Sequence, residues 1–210
     1  MLTRRTRPEA GFTLVELMLA VAILAIITVP LANVVIGALR NTTDTSDRLE
    51  LSHDAQISSS YFARDVAELG LRDWAAINGD SVPFRQSVQL NAAYNAGGYT
   101  CGSTTAALRL LSDAWNPAVS MQDAATNVVA YYLKPVGAVS ELHRIKCLGP
   151  AITGTDVVLA HNVKPGSLAV TCSSDCESTD VPDQVKVTFQ VTRASVGDYP
   201  ITLNGQRRQQ

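Results

Sequence analysis

From Phe12 to Leu39 the chain reads FTLVELMLAVAILAIITVPLANVVIGAL, and Glu16 is the one ionisable side chain in that run. A helix rises about 1.5 Å per residue and needs about 20 apolar residues to cross the hydrocarbon of a bilayer, so the segment is long enough to span. Upstream, Arg4, Arg5 and Arg7 stand against a single Glu9. The positive-inside bias then keeps the N-terminus in the cytoplasm and places everything beyond Leu39 on the far side.

Two plainer accounts of the run fit less well. A secretory signal peptide ends in small residues where it is cut, whereas here Ala10 and Gly11 precede the apolar stretch. A simple anchor has no use for Glu16, because an acidic residue at mid-span costs about 2.5–3.5 kcal/mol on insertion scales, and even near the end of a span a carboxylate wants a partner.

Gly11, Phe12, Thr13, Leu14, Val15 and Glu16 match, position by position, the G-F-T-L-x-E signature that this chain shares with type IV pilins and pseudopilins. The resemblance implies cleavage by a prepilin peptidase between Gly11 and Phe12, followed by N-methylation of the new Phe12 amine. It also implies that in a filament Glu16 pairs with the Phe12 amine of a neighbouring subunit, so that each buried charge has a partner. Pro30 falls in the half of the run where a kink is tolerated.

Cleavage would remove Arg4, Arg5, Arg7 and Glu9, taking 17 basic and 19 acidic residues to 14 and 18 and the net charge from −2 to −4. A mildly acidic chain is a poor electrostatic match for nucleic acid or anionic lipid. Arg207 and Arg208, the one tight basic pair outside the leader, read as a solvated tail. The remaining length suits one modest extracytoplasmic domain. Its four cysteines, Cys101, Cys147, Cys172 and Cys176, lie where disulfides persist, and three pairings are open. Cys172–Cys176 with Cys101–Cys147 is the favoured one; the lone C-x3-C spacing argues against zinc.

Beyond the span, residues 40–47 are polar but helix-compatible. Leu49, His53, Ile57, Tyr61, Val66 and Leu69 then recur at helical spacing, with Arg48, Glu50, Asp54, Arg64, Asp65 and Glu68 on other faces and Gly70 as a stop. A helix from Phe12 to Leu69 would be about 85 Å long, a stalk carrying a head. Between Arg72 and Asn127, glycine and proline punctuate the sequence and loops are expected, with a strand at Ala106–Leu111. Strand signals follow at 127–133, 142–147, 157–163, 167–172 and 184–193, the last with Val185, Val187, Phe189 and Val191 alternating with polar residues. The expected fold class is α+β: a long N-terminal hydrophobic helix packed against a C-terminal antiparallel sheet. The expected divisions are a leader at 1–11, a membrane or filament-core helix at 12–39, its amphipathic continuation at 40–72, and a globular head at 73–210.

The later order of features resembles the larger minor subunits, J-type pseudopilins of type II secretion and related minor pilins. It runs through F-x-R-D-V-x-E-L-G at Phe62–Gly70, Y-Y-L at Tyr131–Leu133, L-x-R at Leu142–Arg144, A-x-N-V at Ala160–Val163 and P-x-x-V-x-V at Pro182–Val187. The resemblance implies other pilin-type subunits, the prepilin peptidase and methyltransferase, an inner-membrane assembly platform and the membrane itself as partners, and no cofactor. No nucleophile elbow, H-E-x-x-H or phosphate loop is present, so no catalytic residue is assigned. His143, His161, Asp156 and Ser140 are the one set that, if converged, would suggest a hydrolase. Asp175, Glu177, Asp180 and Asp183 form a dense acidic run but match no calcium loop and read as solvated. Tyr94 and Tyr99 flank Gly97-Gly98, where an adhesive or ligand-binding head, DNA capture included, is the alternative function.

Overall fold

The computed structural model describes residues 11–114, 125–149, 151–152, 156–193 and 195–208; the basic leader and part of the 73–127 region lie outside the described residues. The chain has one long helix, α1 (Leu14–Ala67), followed by an antiparallel sheet, an α+β layout. It divides into two compact units, Met1–Ser46 and Asp47–Gln210.

In the first unit α1 continues through Pro30 and through the Thr- and Asp-rich stretch after Leu39. The hydroxyls of Thr42, Thr43 and Thr45 donate back to the carbonyls of Ala38, Leu39 and Asn41 at 2.9, 3.1 and 2.8 Å. Hydroxyls that would otherwise compete with the backbone are thereby spent inside the helix. Every described residue of this unit is exposed.

In the second unit the main sheet is built from β3 (Val88–Ala92), β4 (Ala106–Ala114), β5 (Ala125–Val136), β6 (Val139–Leu148), β8 (Val157–Val163), β10 (Gln184–Arg193) and β11 (Gly197–Gln206). Their order across the sheet is β11-β10-β8-β6-β5-β4-β3. Two short strands attach, β7 (Ala151–Ile152) to β6 and β9 (Ala169–Cys172) to β10, while β1 (Leu71–Arg72) pairs with β2 (Phe84–Arg85). One face packs on residues 51–66 of α1: Leu51, Phe62 and Val66 meet Leu108, Leu110, Tyr131, Leu142, Val187, Phe189 and Leu203 in a single core. The other face carries a smaller cluster of Leu71, Leu111, Val128, Ala130, Ile145 and the Cys101–Cys147 bridge.

Several sequence expectations change here. The buried seam of α1 is Leu51, Asp54, Ser58, Phe62, Asp65 and Val66, whereas Leu49 and His53 face solvent. Three polar residues sit in that seam because each has a partner on the sheet. The 72–127 region, expected to be mostly loop, supplies β3 and the nine residues of β4. The C-terminal basic pair is docked, not a free tail. Arg207 bonds Asp183 through its backbone N–H at 2.8 Å and through Nη2 at 3.1 Å, and the Arg208 N–H donates to Ala67 O at 3.3 Å.

Candidate functional site

Gly11, Phe12 and Thr13 are non-helical, and α1 begins at Leu14. Thr13 is the cap: its hydroxyl accepts from the Glu16 N–H at 3.3 Å, and its carbonyl accepts from the Leu17 N–H at 3.2 Å. A threonine followed three residues later by a glutamate is also the spacing of a capping box, in which one orphan N–H of the first turn is satisfied by the threonine side chain. Sequence reasoning took the T-x-x-E spacing only as a signature. The same spacing carried this local meaning and was readable from it.

Gly11–Phe12 is an exposed, non-helical peptide immediately before a capped helix, and exposed irregular backbone is where proteolytic cleavage concentrates. Glu16 sits in the first turn, where the partial positive charge of the helix N-terminus favours a carboxylate. From Phe12 to Leu39 the large apolar side chains are all exposed, Phe12 at 81% and Leu39 at 64%. The most apolar 18-residue window of α1 has mean hydropathy 2.6 and no burial, long and apolar enough to cross a membrane by length and composition.

Of the residues that would make a hydrolase, His143 and Asp156 come together while His161 is paired elsewhere. His143 places Nδ1 2.9 Å from Asp156 and Nε2 3.1 Å from Glu141, and its ring stacks on Tyr132 at 5.2 Å. Both ring nitrogens are therefore committed to carboxylates. His161 instead meets Asp54 of α1, through its backbone N–H at 2.9 Å and Nδ1 at 3.2 Å. The neighbours of His143 on β6, Leu142 and Arg144, face α1, so alternation turns His143 to the opposite side of the sheet from His161's partner. The acidic run is dispersed as well: Glu177 accepts from the Leu90 N–H of edge strand β3 at 3.1 Å, and Asp183 pairs with Arg207. Among the described residues no group of three or more His, Cys, Asp or Glu is placed to hold a metal.

What holds the head is a set of buried polar ties. Asp65 receives Arg144 Nε and Nη2, each at 2.6 Å, and the Tyr131 hydroxyl at 2.5 Å. Burial first, then the negative charge of Asp65, raises the Tyr131 phenol well above its ordinary range. The buried Ser58 hydroxyl donates to Leu159 O at 2.9 Å. On the far face Arg109, fully buried, donates to Gln89 Oε1 at 2.8 Å and to the carbonyls of Ala93, Ala96 and Tyr99. Burial without a carboxylate partner lowers its guanidinium below the usual range. The loop that Arg109 organises contains Tyr94, Tyr99 and Gly97-Gly98, and Cys101 pins it to β6 through Cys147. The second bridge closes Cys172 on Cys176.

Comparison with known families gives one match: residues 6–32 fit the Prokaryotic N-terminal methylation motif. No curated protein matches the chain. The matched residues include Gly11 to Glu16, the Thr13 cap and the first half of the apolar run. Motif and apolar helix together indicate a membrane-anchored, single-pass protein.

Proposed function

We propose that this chain, which carries the prepilin-type N-terminal motif of the type IV pilin and pseudopilin family and with it the mark of a structural subunit processed by prepilin peptidase, is a minor subunit of a pilus or secretion-type filament. It is cut between Gly11 and Phe12, methylated on Phe12, inserted with its N-terminus cytoplasmic, and assembled through residues 12–39. The head lies outside the cytoplasm and does no catalysis.

The observation that carries this reading is the unspent chemistry of the first unit. A stretch of apolar helix whose described residues up to Ser46 are all exposed, preceded by an exposed, non-helical Gly11–Phe12 peptide and bearing one carboxylate in its first turn, is unfinished as a monomer. A bilayer covers the apolar surface but offers Glu16 no cation. A neighbouring copy or homologue covers the surface and brings the Phe12 amine. The head supports a minor-subunit role through its size and its two disulfides, which suit a non-reducing compartment.

The test is intact mass and N-terminal sequence of the protein recovered from membranes of cells with and without the prepilin peptidase. The expected product begins at methylated Phe12 only when the peptidase is present. A chain still beginning at Met1 in both strains, or cut beyond Leu39, would overturn the reading.

A further inference from the structure

We propose that the cleft where α1 ends binds a multivalent carboxylate. The inference concerns the head alone and goes beyond the assembly reading. The cleft has a volume of about 500 Å³, and its lining sets four cations, Arg72, Lys146, Arg207 and Arg208, drawn from three separate parts of the chain, against two acids, Glu68 and Asp113. Such a concentration is unexpected in a chain whose net charge is −2.

The molecule shows what a closed ion pair looks like elsewhere: Asp65 takes both forks of Arg144 at 2.6 Å, out of solvent. The cleft is built differently. The Arg72 guanidinium reaches Asp113 at 3.3 Å, with the Arg72 backbone N–H also donating to that carboxylate at 3.3 Å; the Arg207 guanidinium reaches Asp183 at 3.1 Å, and Lys146 pairs with Glu68 at 3.3 Å. The Asp183 carboxylate is about half exposed and so screens Arg207 weakly, whereas Asp113 is nearly buried against Arg72. Arg207 Nε is buried with no hydrogen-bond partner, and among the described residues no acidic side chain pairs with Arg208. A guanidinium carries five N–H donors and matches carboxylate oxygens in pairs, so Arg207 and Arg208 keep donors to offer.

The aromatic ring of Phe84 fixes the arrangement. Arg72 and Arg207 each lie over it with the guanidinium carbon 5.5 Å from the centroid. Two cations are thus held at one ring, a pre-formed receptor for separated negative charges. Cations near a helix C-terminus also offset its carbonyls, but here the contact to Ala67 O is made by the Arg208 backbone N–H and leaves its side chain uncommitted. The room suits a small tricarboxylate or two acidic side chains of a partner segment.

The test uses the full chain in detergent micelles, titrated with citrate, with a short Asp/Glu peptide, and with acetate, inorganic phosphate and a single-stranded oligonucleotide as comparisons. Citrate or the peptide is expected to bind at least about tenfold more tightly than acetate. Arg208→Gln is expected to weaken that binding by about tenfold while leaving the ligand-free melting temperature unchanged, and Arg208→Glu to abolish it. Tighter binding of citrate assigns a free ligand, and tighter binding of the peptide assigns a partner's acidic segment; either supports the proposal. Binding no stronger than acetate, binding unchanged in both Arg208 variants, or stronger binding of phosphate or oligonucleotide than of either carboxylate would overturn it.

Discussion

Residues 14–46 and residues 47–67 belong to one helix, yet the first stretch leaves every leucine, isoleucine and valine exposed while the second buries Asp54 and Asp65. Hydrophobicity alone would assign them the other way round. The difference lies in where the partners are: the first stretch finds none within its own unit, and the second has each carboxylate met by His161 or by Arg144 and Tyr131. Burial of a charge is tolerated when its partners are pre-placed, and exposure of apolar surface when a membrane or neighbouring subunit supplies the cover. On this reading the N-terminal unit carries processing and assembly and the head carries stability, so lesions in the two should separate cleanly.

The largest expected effect falls on processing. Gly11→Val should leave the leader attached in all recovered protein, read as intact mass, with the head's melting temperature unchanged. Mature-length protein from this variant would break the comparison at its first point, since the cleavage site would then lie elsewhere.

Next comes the buried tie. Asp65→Ala strands Arg144, which is almost fully buried, together with the Tyr131 hydroxyl. Removing one member of such a pair costs about 3–5 kcal/mol, measured by denaturant unfolding, and cleavage at Gly11 should proceed as before in whatever protein remains folded. Gly205→Ala should cost about 1–3 kcal/mol, because a Cβ built there would lie 2.4 Å from Val66 Cβ, inside the contact between β11 and α1. A neutral outcome would mean that the C-terminal strand does not bear on the helix.

These two residues also show what the sequence carried and what it hid. The G-F-T-L-V-E motif, the apolar run and the alternation of β10 were legible because each is a local pattern with one meaning. The polar seam of α1 was not, since Asp54 and Asp65 fall outside the apolar stripe of the sequence until their sheet partners, 79 residues away for Asp65 and Arg144, are in view. Strand β4 was only partly visible because it is buried on both faces and places Arg109 among its leucines, which erases alternation. Strand β11 was missed outright: Gly197, Pro200 and Gly205 weaken its strand pattern, although Pro200 is tolerated on an edge strand and Gly205 is the one residue type that admits Val66. The docking of Arg207 depends on Asp183 and Phe84, which no local pattern links to it.

Tyr131 gives the comparison a pH axis. Its phenol is raised in the fold, so the folded state favours the neutral form. That contribution is fully present below the unfolded tyrosine value of about 10 and is lost as pH climbs beyond it toward the higher folded value. The head should therefore lose stability above about pH 10, and Tyr131→Phe should flatten that fall while costing about 1 kcal/mol at neutral pH. An alkaline limb of equal slope in both proteins would assign the loss to other groups.

The smallest expected effect bears most directly on the division of labour. Glu16→Ala removes the one charge in the apolar run and is not a change within the Asp47–Gln210 unit, so the head's unfolding free energy should stay within about 0.5 kcal/mol of the parent. The Thr13 hydroxyl still accepts from the residue 16 backbone N–H in this variant, so the helix start and the Gly11 cleavage are expected to persist. What should fall is recovery of the subunit in sheared filaments, because a neighbour's Phe12 amine would enter an apolar contact without its counter-charge. Parent-level recovery of the Ala variant in filaments would remove Glu16 from assembly and leave its position explained only by the N-terminal end of the helix it sits on.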